Sequence, residues 1–569
     1  MRYMALATDF DGTLASDGVV PEETIEALER LRASGRRVVL VTGRELPDLL
    51  NVMPRMDLFD HVVAENGAVL YCPASGDERL LAEPPPAEFV ARLAGFGAQP
   101  LSIGRVVVST REPYEQAVIE TVREMGLELQ VTFNKGAVMV LPSGVNKATG
   151  LRQALNDLGL SPHNVVAVGD AENDHILLNL AECAVAVDNA LPALKERADW
   201  VTSARQGAGV RELVERLLED DLGSLEGRLD RHRLVLGKSG DDDVTLAPYG
   251  KNVLLAGPSG SGKSSTTLAL LERLMDGGYQ FCLIDPEGDY EQFEGAVTLG
   301  DSERIPTDRE VLQLLEQPDR SAVVNLLGIP LADRPGFLAA LLPRLQELRA
   351  RTARPHWLVL DEAHHLLPRD WRQAGISLPA ELTNTLMITV HPDMLATEVI
   401  RLVDVVVTSK KGAEETLVAV AKSVDVQAPD PPAGPKPRKA VAFWEIRAQA
   451  SPRWVSLVEA RQEHRRHRRK YATGELQPDE SFYFRGPQDR LNLRAQNLVI
   501  FAQMAEGVDD DTWLHHLRRH DYSRWFLDCI KDDELAAEAA EAESLADLSA
   551  ADSRRRILGA IESRYTQAA

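Results

Sequence analysis

Two aspartates separated by one residue, in the run Asp9-Phe10-Asp11-Gly12-Thr13, are the first side chains in this sequence whose type and spacing suit a reaction. They follow Met4-Ala5-Leu6-Ala7, an apolar run that reads as a buried parallel strand. Open α/β sheets meet their ligands at the ends of such strands. A carboxylate at Asp9 can attack phosphorus, while a second at Asp11 can protonate the leaving oxygen and later activate water. Gly12 and Thr13 let the backbone turn sharply. Asp and Gly are also ordinary turn residues, so the chemistry rests on what accompanies them.

Three later strand ends supply that company. Residues 38–41 run into Thr42-Gly43-Arg44, Lys147 follows the apolar residues 138–141, and residues 165–168 run into Gly169-Asp170-Ala171-Glu172-Asn173-Asp174. Together they offer a nucleophile, an acid, a hydroxyl and an ammonium for phosphoryl oxygens, and carboxylates for a divalent metal. Mg²⁺ between Asp9 and Asp170 would neutralise the repulsion between two anions, with Lys147 and Thr42 holding the charge that spreads over the equatorial oxygens.

In this order the four motifs resemble those of haloacid dehalogenase superfamily phosphatases, in the Cof-like subgroup with a large α+β cap. Glu65-Asn66-Gly67-Ala68 and the stretch Asp188-Asn189-Ala190 through Ala198-Asp199-Trp200-Val201 are similar to that subgroup as well. The resemblance covers residues 1–222 and places a cap at about 67–146. It implies Asp9 as the phosphorylated nucleophile and Asp11 as the acid/base, whose backbone carbonyl also binds the metal. It further implies Asp170 as a metal ligand supported by Asn173 and Asp174. An Asp two residues after the nucleophile implies phosphate-ester hydrolysis rather than dehalogenation. Within the cap, strand-like runs fall at residues 106–108, 127–133 and 138–141, and Arg105, Arg111 and Lys135 are candidate substrate contacts, with solvated surface the commoner role for such residues.

A second chemical motif follows the apolar residues 253–256. Gly257-Pro258-Ser259-Gly260-Ser261-Gly262-Lys263-Ser264, with Ser265 after it, is a full phosphate loop opening a helix-compatible run. Its glycines let backbone N–H groups surround the phosphates of ATP, Lys263 reaches the β and γ groups, and Ser264 ligates Mg²⁺. The run His356-Trp357-Leu358-Val359-Leu360-Asp361-Glu362 ends on two acids, of which Asp361 suits the Mg²⁺ shell and Glu362 the attacking water. Residues 230–427 resemble the HerA/FtsK group of P-loop ATPases, carried also by Ile284-Asp285-Pro286-Glu287-Gly288-Asp289-Tyr290. That resemblance implies a RecA-like domain and a homo-oligomeric ring, most simply a hexamer. His391 stands where the group commonly places a sensor Gln, and Arg369, Arg372 and Arg401 are the arginines available to reach a neighbour's γ-phosphate.

The elements that position these motifs need several cores, since 569 residues exceed the roughly 100 to 200 of an ordinary domain. The expected architecture is α/β: a Rossmann-like hydrolase core with an α+β cap, a RecA-like P-loop domain, and a small α-helical C-terminal domain. A Pro-rich linker is expected at 428–440, a basic connecting segment at 441–475 and the helical domain at 476–569, where Trp513, Leu514, Leu517, Tyr522, Trp525, Phe526 and Ile530 recur at helical spacing. His515 and His516 read as packing rather than ligands, because adjacent helical residues face apart. The run 461–470 reads as a solvated segment in preference to a nucleic-acid contact, and a net charge of −24 weighs against indiscriminate nucleic-acid binding.

No run of about 18 apolar residues is present, which argues against membrane insertion. Met1-Arg2-Tyr3-Met4 leads straight into a core strand, and Cys72, Cys183, Cys282 and Cys529 lack paired spacing, so a cytoplasmic protein is expected. The functional expectation is a Mg²⁺-dependent phosphatase for a small phosphorylated metabolite, of the sugar phosphate or phosphoglycolate class, working through an aspartyl-phosphate. Fused to it is an ATP-hydrolysing domain with an assembly or regulatory role. The rival reading is a HerA-like DNA-associated ATPase whose phosphatase domain acts on nucleotides or strand ends.

Overall fold

The computed structural model describes residues 1–134, 136–258, 261–369, 382–410, 412–432, 440–448, 451–461, 471, 476, 481–530, 532–545 and 548–565. Lys135, Ser259, Gly260, Arg372, the middle of the Pro-rich run and the basic run from 462 onward lie outside them. Two compact units divide the chain: Met1–Gly257, Ala269–Glu287 and Glu291–Glu459 form one, and Pro258–Leu268, Gly288–Tyr290 and Ala460–Ala569 the other.

In the first unit, the N-terminal sheet has the order Trp200–Val201, Cys183–Ala186, Val165–Gly169, Ala5–Thr8, Arg37–Val41, His61–Ala64, Val69–Cys72 and Asp77–Leu80. The first six strands run parallel. Their inner members are apolar on both faces because helices cover both faces, as a parallel sheet requires. The last two strands are antiparallel additions. The sequence reading had given them to the cap, but Val69–Cys72 pairs with the core strand His61–Ala64, Val62 opposite Tyr71 and Ala64 opposite Val69, and Asp77–Leu80 pairs with Val69–Cys72 in turn. Strand identity alone does not say which sheet a strand joins.

The cap itself is a four-stranded antiparallel sheet, Ser102–Ile103, Val108–Arg111, Ala137–Pro142 and Leu129–Asn134 in spatial order. Helices Ala87–Gly95 and Glu115–Met125 pack on one face through Phe89, Leu93, Val108, Val118, Val138 and Val140. By the period of two, Val107, Met139 and Leu141 belong to the other face, where they cluster with Leu46, Ala64 and Val69 of the core.

The hydrolase core does not stop at residue 222. Leu222, Leu225 and Leu229 are buried within it. Arg231 then clamps Asp199 through Nη2 at 2.7 Å and donates to the carbonyls of Ala181 and Glu182. Of the acidic and small residues that suggested a boundary, Glu219 and Asp220 end the helix Gln206–Asp220, and Gly223 and Ser224 open the short helical turn Gly223–Arg228.

The second sheet has eleven strands in the order Asp242–Leu246, Leu234–Ser239, Arg453–Leu457, Ala440–Glu445, Val405–Ser409, Val253–Ala256, Thr385–Thr389, Trp357–Leu360, Phe281–Asp285, Ser321–Asn325 and Ala296–Leu299. The last seven are parallel, and Thr385–Thr389 separates Val253–Ala256 from Trp357–Leu360. Two strands, Ala440–Glu445 and Arg453–Leu457, fall where a basic connector was expected, because their alternate residues Ala442, Trp444 and Trp454 bury against this sheet's core. The two sheets meet at a buried polar cluster. Glu182 accepts from His163 Nδ1 at 2.7 Å, Arg2 Nη2 at 2.5 Å and Tyr279 Oη at 2.8 Å, while His163 Nε2 contacts the Gly277 carbonyl and Arg354 donates to the Gly159 carbonyl at 2.8 Å.

The second unit holds helices Leu498–Gly507, Asp510–Arg518, Asp521–Trp525, Asp533–Ser544 and Ala550–Tyr565 around Phe501, Trp513, Tyr522 and Phe526. A hairpin, Phe482–Phe484 with Leu493–Ala495, joins them, so this unit is not purely helical. His516 is structural here. Its Nδ1 meets Asp521 at 2.9 Å and its Nε2 accepts from the Arg485 N–H at 3.0 Å.

Candidate active site

The parallel register carries the four N-terminal motifs to one edge of the first sheet. Ala5–Thr8, Arg37–Val41 and Val165–Gly169 end in step, delivering Asp9, Thr42 and Asp170 side by side. Lys147 opens the helix Lys147–Leu158, whose Asn146 cap forms a reciprocal pair with Thr149. Lys147 Nζ lies 2.6 Å from both Asp9 Oδ1 and Asp174 Oδ1. Asp174 accepts in turn from the N–H groups of Asp170 and Ala171, each at 2.9 Å, and Thr13 Oγ1 donates to Asp170 Oδ1 at 3.3 Å.

Asp9, Asp170, Asp174 and Lys147 are all at most 5% exposed. Burial, with Asp174 next, pushes the Asp9 carboxyl up to about 7 against the pull of Lys147. Burial alone would lower the Lys147 ammonium, but Asp174 and Asp9 outweigh it and hold it above its ordinary value. Asp9 and Asp174 thus share one cation, and oxygens of these two and of Asp170 lie within 4.8 Å of one another. Beside them the buried Asn173 Oδ1 has no hydrogen-bond partner among the described residues, while its Nδ2 donates to Asn66 Oδ1 at 2.9 Å. An all-oxygen, anion-rich set with an orphaned amide oxygen fits a hard divalent cation such as Mg²⁺.

Asp11 is placed differently. It is partly exposed, and Arg44 Nε and Nη2 each donate to it at 2.7 Å while Nη1 holds Asp48 at 2.6 Å. Thr42 Oγ1 accepts from the Arg44 N–H at 3.1 Å. The sequence reading had named Arg44 only as part of a strand-end motif. Nothing in linear spacing shows that its fork would close on Asp11.

Glu65 is a second residue whose work sequence reasoning missed. Its fully buried carboxylate accepts from the N–H groups of Arg105, Val106 and Val107, which tie the turn between cap strands Ser102–Ile103 and Val108–Arg111 to the core. Gly104 makes that approach possible, since a Cβ there would sit 2.6 Å from Glu65 Oε2. A buried carboxylate without a basic neighbour in sequence is the signal that could have found it. Between cap and core lies a cavity of about 510 Å³, lined by Asp9, Asp11, Thr42, Arg44, Asn173 and, from the cap, Arg111. Arg105 instead pairs with Glu78 at 2.9 Å.

The phosphate-loop motif lies after Val253–Ala256 and opens the helix Lys263–Asp276, with Ser264 and Ser265 in its first turn. Gly257 N–H donates to the Thr389 carbonyl at 3.3 Å, Gly262 has φ +91°, and Lys263 Nζ donates to the Pro258 carbonyl at 3.1 Å. Ser261 Oγ is buried without a hydrogen-bond partner among the described residues. Asp361 is buried at the end of Trp357–Leu360, and Glu362 takes φ 41°, a strained backbone for a residue with a side chain. His364 Nδ1 lies 3.4 Å from Glu362 Oε2 and 3.1 Å from Thr389 Oγ1, and the His391 ring stands 5.3 Å from that of His364.

Comparison with known proteins bears on the N-terminal part. The profile of the haloacid dehalogenase-like hydrolases matches residues 6–99 and 97–214, and through these residues the chain belongs to that family. A phosphoglycolate phosphatase of Methanothermobacter thermautotrophicus is 33% identical over 222 residues, which are 38% of this chain and 98% of that protein. Phosphoglycolate phosphatases of Natronomonas pharaonis and Haloarcula marismortui are 31% and 32% identical, each over 37% of this chain and 96% and 95% of their own lengths. No helix among the described residues is long and apolar enough to cross a membrane.

Proposed function

We propose that residues 1–233 form a Mg²⁺-dependent phosphatase for a small phosphorylated metabolite. The observation that carries this reading is the Asp9–Lys147–Asp174 chain beside Asp170, facing a capped cavity. A carboxylate oxygen of Asp9 attacks phosphorus while the ester P–O bond breaks, and Asp11 gives its proton to the leaving oxygen. Asp11 then takes a proton from the water that attacks the aspartyl-phosphate, releasing inorganic phosphate and restoring Asp9. Arg44 orients Asp11 through two hydrogen bonds, one of which must loosen when Asp11 protonates. Lys147 and Thr42 take up charge on the phosphoryl oxygens. Mg²⁺ held by Asp9, Asp170 and the Asp11 carbonyl, with Asn173 and Asp174 in support, would offset the charge of the incoming dianion. The phosphoglycolate phosphatases among the relatives support a small phosphorylated substrate. Phosphate release by the full chain from phosphoglycolate and a panel of sugar phosphates, with Mg²⁺ and with chelator, tests the reading. No release from any monoester with Mg²⁺ present would overturn it.

We further propose that the second sheet belongs to a RecA-like ATPase. What supports this is the strand order: Thr385–Thr389 lies between Val253–Ala256, which precedes the phosphate-loop motif in sequence, and Trp357–Leu360, which precedes Asp361-Glu362. Lys263 and Ser264 would hold ATP and its Mg²⁺, Glu362 would polarise water, and a homo-oligomeric ring would supply an arginine from a neighbour. ATP hydrolysis by the wild type that is abolished in Lys263→Ala and lost in Glu362→Gln with binding retained tests it. Absence of ATP binding by the wild type would contradict it.

A further inference from the structure

We infer that Asn66 is a positioning residue that couples the seating of the cap to the cation site; this rests on the phosphatase reading above. Asn66 is buried in the turn Glu65–Gly67, which joins the core strands His61–Ala64 and Val69–Cys72. Its backbone is left-handed, with φ 53° and ψ 31°, and Glu65 before it has φ 50°. Two successive residues with side chains in that region are strained, and surrounding contacts must offset the strain. Those contacts come from the segments that carry the chemistry. The N–H groups of Glu65 and Asn66 donate to the carbonyls of Arg44 and Thr42 at 2.9 and 3.0 Å. Gly67 presses on the residue that caps the Lys147 helix, since a Cβ there would lie 1.9 Å from the Asn146 carbonyl.

The side chain of Asn66 reaches in two directions. Its Oδ1 accepts from Asn173 Nδ2 at 2.9 Å, and its Nδ2 donates to Met139 Sδ of the cap strand Ala137–Pro142 at 2.9 Å. The first bond fixes the Asn173 amide by its nitrogen and leaves the oxygen, which has no partner among the described residues, beside the Asp9, Asp170 and Asp174 carboxylates. Partners that orient a cation's ligands in this way tune its affinity. The second bond depends on the cap, because Met139 belongs to the apolar seat that Val107, Met139 and Leu141 make with Leu46, Ala64 and Val69 of the core. When the cap lifts, the Asn66 amide keeps only its Asn173 end and no longer fixes it. A thioether is a weak acceptor, so the link breaks at little cost, as a lid that opens in each turnover requires. An amide alone serves both ends, donating from one atom and accepting at the other, and Asn tolerates left-handed backbone. Such coupling is reciprocal: a bound cation favours the seated cap as much as the seated cap favours the cation.

The test uses the full chain with Mg²⁺ and no substrate, as wild type, as Asn66→Gly and as Met139→Leu. Asn66→Gly keeps the left-handed backbone and removes the amide, while Met139→Leu keeps the apolar volume and removes the acceptor. The Mg²⁺ concentration at the midpoint of the thermal shift should rise about 10-fold in Asn66→Gly, with a smaller rise in Met139→Leu. Mg²⁺ should slow backbone hydrogen exchange at residues 105–107 and 137–142 in the wild type and leave it unchanged in Asn66→Gly. A purely structural amide would lower the melting temperature and move neither readout. An unchanged Mg²⁺ midpoint in Asn66→Gly, or cap protection by Mg²⁺ that persists there, overturns the inference and leaves the phosphatase reading standing. If Asn66→Gly does not fold, Met139→Leu decides, and wild-type behaviour in both readouts overturns it. A wild type that releases phosphate from a monoester yet shows no Mg²⁺ shift or no cap protection overturns it as well. A wild type inactive on every monoester removes the reading beneath it.

Discussion

Lys147 is the side chain on which the charge balance of the phosphatase site turns. It is buried between Asp9 and Asp174 at 2.6 Å from each, so its removal leaves two buried carboxylates, beside Asp170, without the cation that touches both. Lys147→Ala should destabilise the folded chain by about 3 kcal/mol in denaturant titrations, a loss that Mg²⁺ partly restores. Full stability without Mg²⁺ would show that the carboxylates do not repel as argued. Asp9→Asn keeps the shape of the site but removes the anionic nucleophile, and phosphate release should fall by about 10⁴-fold or more. Circular dichroism should be unchanged. At this scale Asp9, Thr42 and Asp170 were legible from sequence as candidates, because each stands at the end of an apolar run, whereas Lys147 opens a helix. The Arg44 fork on Asp11 and the Glu65 clamp were not, since both are contacts between segments that only the folded sheet brings together.

At the scale of elements, the cap is tied to the core where Glu65 accepts from the N–H groups of residues 105–107. Gly104→Val would force a side chain into the Glu65 carboxylate and unseat that grip. The expected outcome is a several-fold rise in KM with a smaller change in melting temperature, because the cap's own core of Phe89, Leu93 and Val138 is untouched. Unaltered kinetics in Gly104→Val would mean that the Glu65 contacts do not govern the lid. Strand existence was readable from apolar runs, and the cap strands fell close to their expected places. Sheet membership was not. Val69–Cys72 carries the same kind of residues as the cap strands, and pairing with His61–Ala64 decides its sheet. Likewise Ala440–Glu445 looked like part of a connector until its alternation met the second sheet.

For the first unit as a whole, the junction between the two sheets is a buried ionic cluster rather than a loose linker. Burial would push the Glu182 carboxyl up, but the hydrogen bond and charge of His163, with Arg2, outweigh it and hold it near 2, down from 4.5. A carboxylate depressed on folding stabilises the native state above its unfolded value, so this contribution of about 3 kcal/mol is present above pH 4.5 and is lost as pH falls toward 2. His356, kept neutral mainly by burial, adds a loss that begins as pH falls through 6.5. Glu182→Gln should lower unfolding free energy at neutral pH and flatten the acid limb of the stability profile. A Glu182→Gln protein as stable as its parent at neutral pH would contradict the account. The same geometry predicts that a fragment ending at 233 is better folded than one ending at 222, because the shorter piece loses Leu225, Leu229 and the Arg231 clamp. Charge composition and motif spacing carried no sign of this junction, whose members are spread from Arg2 to His356.

The most direct test of the central claim is acid-quench trapping of the full chain during turnover of a labelled phosphate monoester with Mg²⁺, followed by peptide mapping. The account predicts acid-stable, hydroxylamine-sensitive label on the peptide that contains Asp9, absent in Asp9→Asn. Steady phosphate release with no label on that peptide, or label that persists in Asp9→Asn, would contradict it.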